Sequence, residues 1–297
     1  MRDNSLLIVG SIALDTIEIG DERYDGLIGG STTYATIAAG INSDVHIVGI
    51  IGDDFPEDGH AIFDKYAANK TDLQIVTGTT FSWGGHYGEN FDDRDTLFTK
   101  LGVFADFNPI LSPINKNHRF VFLANIHPDL QNIVIDQCQG NPVIVVDTMN
   151  LWINTTLNEL LIVLSKSDIL LINESEAEMI TDCSQLDDAA RTLIGLGPPM
   201  VVIKRGSKGA ILYNENEKIE IGIYPIDKVV DPTGAGDTFG GGFISALAQG
   251  KSNTEALVRA TVLASICVEG VGVEALLRAS NQEIEKRRQF LMEQVTS

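Results

Sequence analysis

Short apolar runs alternate with helical patterns along most of this chain, and that rhythm leaves few folds open. The runs are "LLIVG" (6–10), "VHIVGI" (45–50), "RFVFLA" (119–124), "VIVVD" (143–147), "DILLIN" (168–173) and "MVVIK" (200–204). Between them the spacing predicts helices around 31–41, 57–68, 129–138, 156–165 and 185–196. Near-continuous Val, Ile and Leu implies strands covered on both faces. The expectation is therefore an α/β fold, a parallel sheet with helices on either side. After the last run, helices are expected over 236–249, 253–268 and 281–294. Two stretches break the rhythm, 12–29 and 79–103, where partial alternation is interrupted by turn residues. Their pattern suits either a small antiparallel flap or two irregular surface loops.

The runs end in polar residues: Asn125, Asp147, Asn173 and Lys204. In open parallel sheets ligands sit beyond the carboxyl ends of the strands, so these four would line one edge. Charge narrows the ligand further. Lys+Arg 21 against Asp+Glu 41 leaves a net charge of −20, which repels phosphate backbones and anionic lipid. It argues against a nucleic-acid or membrane-surface partner. An anionic ligand would need locally concentrated positive potential. The 3 cysteines and 5 histidines are dispersed, which argues for a reducing compartment and against a structural zinc site. The opening "MRDNSLLIVGSIALD" has too short an apolar part for a signal peptide. No apolar run approaches a membrane span, so the expected location is cytoplasmic. A chain of 297 residues, 44% hydrophobic, suits one large domain or one domain with a small appendage.

The segment 229–243, "VVDPTGAGDTFGGGF", carries five glycines around one aspartate and runs into a helix. Each interior helical glycine costs about 1 kcal/mol against alanine, so something requires a bare backbone. Asp231-Pro232 marks a turn, and Thr233-Gly234-Ala235-Gly236 has little side-chain bulk. Phe239, Phe243, Ala246 and Leu247 recur at helical spacing and give the helix an apolar face. The free N–H groups of the first turn, with the positive end of the dipole, form an anion site that small residues leave accessible. A transferring phosphoryl group is the anion expected there. Asp237 then stands in an anion site itself. A carboxylate also favours a helix N-terminus, but among these glycines its expected role is general base toward an attacking hydroxyl. A Walker A loop, G-x-x-x-x-G-K-[ST], does not occur, and "GAGDTFG" carries one residue too many for G-x-G-x-x-G.

"DPTGAGDTF" resembles the C-terminal signature of the ribokinase (PfkB) family of sugar and nucleoside kinases. "GLIGGSTTYATIAAG" (26–40) is similar to that family's N-terminal glycine pair, and "LLINESEAEMIT" (170–181) to its Asn-x-x-Glu element. Order and spacing agree over nearly the whole chain. The resemblance implies a ribokinase-like, Rossmann-type αβα sandwich with a small β-sheet lid. It implies a single kinase domain over 1–297, with lid strands from about 12–29 and 79–103. It implies transfer of the γ-phosphoryl group of ATP to a hydroxyl of a small sugar, with Asp237 as catalytic base and Gly234, Ala235 and Gly236 as anion hole. Asn173 and Glu176 match the element that organises Mg2+ and the phosphates, Glu176 through water. "KRGSKG" (204–209) resembles the nucleotide-binding strand-turn, with Lys204, Gly206 and Gly209 as its contacts. Three cations in five residues there would supply local positive potential. Asp15 matches the aspartate that holds acceptor hydroxyls, with Gly29, Gly30 and Ser31 beside it. A monovalent cation such as K+ is implied next to the anion hole at Asp231 and Thr233, opposite "EGVG" (269–272).

One departure concerns the acceptor. Where ribokinase-type chains carry asparagine five residues after the first glycine of the pair, this chain has Tyr34. That removes the amide offered to ribose, and "GGST" is also similar to adenosine kinases. A nucleoside acceptor is thus the alternative to a sugar, and a nucleotide sensor without turnover is a third reading. Trp83, His86 and Tyr87 are the lid side chains expected to face the acceptor, and an open lid edge invites β pairing into a homodimer.

Overall fold

Each apolar run becomes a strand buried on both faces. The computed structural model describes residues 4–88 and 94–295. The chain opens with β1 (Ser5–Val9), β2 (Ala13–Ile19), β3 (Glu22–Gly29), α1 (Ser31–Gly40) and β4 (Asp44–Gly52). Next come α2 (Glu57–Tyr66), β5 (Asn69–Val76), β6 (Ser82–Tyr87), β7 (Arg94–Lys100), β8 (Phe120–Leu123) and α3 (Pro128–Gln137). The middle holds β9 (Val143–Asp147), α4 (Asn150–Thr155), α5 (Leu157–Leu164), β10 (Ile169–Asn173), α6 (Glu174–Thr181) and α7 (Leu186–Gly195). Then follow β11 (Met200–Lys204), β12 (Ala210–Asn214), β13 (Lys218–Ile221), α8 (Ala235–Ala248), α9 (Asn253–Cys267), α10 (Glu274–Arg278) and α11 (Asn281–Met292).

Nine strands form one sheet in the order β13-β12-β11-β10-β9-β8-β1-β4-β5. Period-2 alternation divides its side chains between two cores. Leu6 and Ile8 of β1 pack with α1, α8 and α9, while Leu7 and Val9 pack on the opposite side with α3, α5 and α7. Such burial contributes about 1.5–3 kcal/mol per side chain. The expected all-parallel sheet needs one correction: β12 and β13 are antiparallel to β11. The turn at 205–209 is too short for a crossover helix, so the chain must return antiparallel. The strand β5, half exposed at the sheet edge, had no apolar run to announce it.

The chain leaves β1 for β4 on one side and later enters β8 on the other, so the switch in strand order lies between β1 and β8. A second sheet, β3-β2-β6-β7, is built from the two stretches that broke the rhythm, which settles them as strands rather than loops. Residues 89–93 of the 79–103 stretch lie outside the described residues. Here β2 pairs parallel with β6, and Asp15, Ile17 and Ile19 lie beside Trp83, Gly85 and Tyr87 on one face.

The triple glycine of α8 is explained by packing, not by a ligand. A Cβ on Gly240 would run into Phe122 of β8, one on Gly241 into the backbone of Ala35 on α1, and one on Gly242 against Ala260 on α9 at 3.1 Å. The helix is wedged between sheet and two helices, and only a bare backbone fits. That wedge aims the N-terminus of α8 at the switch point.

Candidate active site

Asn173 and Lys204 are adjacent partners at the ends of β10 and β11. Asp147 ends β9, the strand on the far side of β10. Lys204 Nζ reaches back across β10 to Asp147 Oδ1 at 2.8 Å, both side chains largely buried. It also lies 3.4 Å from where a Cβ on Gly236 would be. Burial works against the Lys204 ammonium, but Asp147, Glu176 and Asp237 more than offset it and raise its pKa above the ordinary lysine value. One cation thus sits among three carboxylates from β9, α6 and α8.

The expected positive cluster at 204–208 reduces to that lysine. Arg205 is tied to Glu220 at 2.6 Å, and Lys208 is exposed beside Glu174 at 3.4 Å. Asn173 and Glu176 form a reciprocal helix cap. Asn173 Oδ1 accepts from the Glu176 N–H at 2.7 Å, and Glu176 Oε2 accepts from the Asn173 N–H at 3.1 Å. The Asn-x-x-Glu spacing therefore has a local cause, a capping box. Glu176 is nevertheless buried beside Lys204, which a surface glutamate would not be.

Gly234 caps α8 with φ 74°, a left-handed conformation suited to glycine. A Cβ there would enter the ring of Tyr34, which is 2% exposed. First-turn N–H groups have no carbonyl four residues back, yet that of Ala235 is already used by the Pro232 carbonyl at 3.2 Å. The anion-binding capacity of the turn therefore lies beyond Ala235. Asp237 is half-buried in this first turn. Asp231 is fully buried; its Oδ1 accepts from the Thr233 N–H at 2.8 Å and its Oδ2 from the Gly272 N–H at 2.9 Å. It locks the turn to the "EGVG" loop.

A cleft of about 550 Å³ joins these parts, lined by Asn173, Lys204, Gly206, Gly209, Ala235 and Gly236 with an apolar wall that includes Ile223, Tyr224, Ile226, Val229 and Phe239. A cavity of about 560 Å³ beside α11 lacks this convergence, and there Lys251 pairs with Glu255 and Arg288 with Glu285.

Asp15, Gly29, Gly30 and Ser31 do not line the cleft; they gather on the other side of Tyr34. Gly29 lies against the Asp15 carboxylate, and a Cβ on either Gly29 or Gly30 would collide with the chain at 11–15. Ser31 Oγ accepts from the Ser11 N–H at 3.0 Å and donates to the Asn125 carbonyl at 3.3 Å, bridging the loops after β1 and β8. Burial first, then Cys267, Asp15 and Asp231, push the Tyr34 phenol well above its ordinary pKa. It is a neutral plug between the Asp15 pocket and the Gly234 turn. Of the three small-sheet side chains, Tyr87 reaches Thr233, the Trp83 ring lies across Gly85, and His86 is on the opposite face beside Glu18 at 3.6 Å. His86 is thereby corrected: strand alternation turns it away from Tyr87. Sequence reasoning missed Cys267, whose buried thiol approaches the Thr233 carbonyl at 3.6 Å; nothing local marks it.

The chain matches the pfkB family of carbohydrate kinases over residues 23–279. It is 31% identical over 258 residues to the cytidine kinase of Thermococcus kodakarensis, covering 83% of this chain and 89% of that one. The Arabidopsis thaliana ribokinase complexed with ribose and ATP superposes with TM-score 0.77 at 25% identity, covering 96% of this chain and 98% of that one. A putative ribokinase II from E. coli in complex with ATP and Mg2+ gives TM-score 0.80 at 21% identity, covering 96% and 99%. Among the described residues no helix is long and apolar enough to cross a membrane.

Proposed function

Because the chain belongs to the pfkB family of carbohydrate kinases, we propose that it moves the γ-phosphoryl group of ATP to a hydroxyl of a small sugar, with Asp237 as general base. The observation that carries the reading is the position of Lys204. It binds Asp147, is held charged by Glu176 and Asp237, and faces Gly236 in the same cleft. That contact supports assigning the nucleotide-side residues and the anion-binding turn to one site.

In this reading the base of ATP packs on the apolar wall at 223–229, and the phosphates run past Lys204 to the first turn of α8. Asp15 holds the acceptor beside the Gly29–Gly30 backbone. Asp237 takes the hydroxyl proton as the acceptor oxygen bonds to the γ-phosphorus, and the bridging oxygen leaves with ADP. Glu176 would hold Mg2+ through water, with Asp147, itself bonded to Lys204, as a second hard oxygen donor nearby. When bound, that ion neutralises phosphate charge. Asp231 and Thr233 would hold a monovalent cation with the loop at 269–272, each Asp231 oxygen keeping a lone pair beyond its backbone bond. Rates in KCl against NaCl test that site.

A nucleoside acceptor is the second reading, favoured by the identity to the cytidine kinase and by Tyr34, which offers no amide to a sugar. Sugars and nucleosides assayed for ADP release separate the two. Asp237→Asn tests the mechanism: turnover should fall by at least about 10²-fold with ATP affinity kept. Near-normal turnover would leave Asp237 a helix-terminal carboxylate and nothing more.

A further inference from the structure

Thr233 is held at each of its three polar groups. Its N–H donates to Asp231 at 2.8 Å, its carbonyl faces Cys267 Sγ at 3.6 Å, and its hydroxyl meets the Tyr87 hydroxyl at 2.9 Å. The first two partners belong to the body of the fold and are fully buried. The third comes from β6 in the small sheet. Thr233 precedes Gly234, whose left-handed conformation starts α8 and whose lower side is closed by the Tyr34 ring. The turn has no room to move toward the core, so its position is adjustable mainly through Thr233. Asp237 lies three residues beyond Gly234 on the same rigid helix.

The small sheet bears on this region at a second point. Gly272, whose N–H is held by Asp231, faces Leu27 of β3, which a Cβ added there would meet at 3.7 Å. One strand of the small sheet thus bonds to one of the two loops that the buried Asp231 carboxylate ties together, and a second lies near the other. Tyr87 shares its sheet face with Asp15, the residue placed at the acceptor.

We propose that Tyr87 is a positioning residue for phosphoryl transfer: from the lid it fixes the Thr233 hydroxyl, so the shape of the anion-binding turn depends on the lid being seated. The inference rests on the phosphotransfer reading of the site. The contact is already made with the small sheet as it sits in this structure, so Tyr87 sets the turn that receives the phosphoryl group before an acceptor arrives. Tyr87 exchanges no proton with the reacting atoms; it acts through Thr233.

The test uses Tyr87→Phe, Thr233→Val, their combination, and Thr233→Ser. Loss of the hydroxyl pair should lower kcat about tenfold, the size of one modest hydrogen bond, with KM for ATP within about twofold. Thr233→Ser keeps the hydroxyl and should lose less rate than Thr233→Val, and the double variant should be no slower than the worse single one. Amide exchange at 234–237, measured without acceptor, should be faster in Tyr87→Phe while the centre of α9 is unchanged. Wild-type turnover in Tyr87→Phe, or rate losses that multiply in the double variant, would overturn the proposal. If no acceptor in the panel is phosphorylated, the kinase reading fails on that assay, and exchange decides this one alone: unchanged protection at 234–237 refutes it.

Discussion

Gly234→Ala separates two costs that usually arrive together. Gly234 and Gly250 have the same φ of 74°, but around a Cβ on Gly250 nothing lies within 4 Å, whereas on Gly234 it would enter the Tyr34 ring. Gly250→Ala therefore measures backbone strain alone, about 1–2 kcal/mol for an L-residue in the left-handed region. Gly234→Ala adds an overpacking cost of about 1–3 kcal/mol, because Tyr34 is walled in by the core and cannot swing away. The sum is about 2–5 kcal/mol. Urea unfolding of both variants reads the difference, which is the contact with Tyr34. The relief available to Gly234→Ala is movement of the 231–237 turn, and Asp237 moves with it. Its turnover should fall by at least about tenfold, while Gly250→Ala keeps the wild-type rate. Equal destabilisation of the two variants, or unimpaired turnover in Gly234→Ala, would refute the idea that Tyr34 sets the turn.

Two further outcomes are expected. His118 is buried against His46, and burial first, then that neighbour, lowers its pKa from 6.5 to about 4. The unfolded chain then binds the proton more readily than the folded one, so stability is full above pH 6.5 and falls by up to about 3 kcal/mol as pH drops to 4. A denaturation midpoint series in wild type and His118→Asn checks it: the variant should lose that slope. Lys204→Met should cost about 2–4 kcal/mol, since it strands the buried Asp147 carboxylate, and should weaken ATP binding. Adding Asp147→Asn should recover much of the stability and none of the ATP affinity; calorimetric titration and melting temperatures tell these apart.

What could be foreseen follows from the range of each cause. The strands β1, β4, β8, β9, β10 and β11 were legible because double-sided burial writes apolar residues at every position. The strands β5, β12 and β13 were not: β5 and β13 are half-solvated edges whose pattern resembles a loop, and β12, though buried, is a five-residue run set between two turns. The turn at 231–237 was visible because its requirements are local, positive φ at Gly234 and an acid in the first helical turn. The pairing of Lys204 with Asp147, the seating of Tyr34 under Gly234 and the hold on Thr233 join residues 34, 87, 147, 204, 233 and 267. Nothing in any one of those neighbourhoods signals the others. The triple glycine was visible but pointed the wrong way: it serves helix packing, and only the neighbours Phe122, Ala35 and Ala260 say so.

The electrostatics of the site reverse what the overall charge suggests. A chain of net −20 would need many cations to prepare an anion site by charge alone, yet Arg205 and Lys208 are spent on Glu220 and Glu174. One buried ammonium is left among Asp147, Glu176 and Asp237. Three carboxyl groups against one ammonium leave little positive potential where, in the proposed reading, a triphosphate docks. At about 6 Å and an effective dielectric of about 20, each excess charge costs about 3 kcal/mol against a phosphate oxygen. Backbone N–H groups at the α8 terminus offset part of this without adding charge; the remainder falls to a divalent ion. In the proposed reading that surplus suits Asp237, because an approaching hydroxyl can give up its proton to the carboxylate.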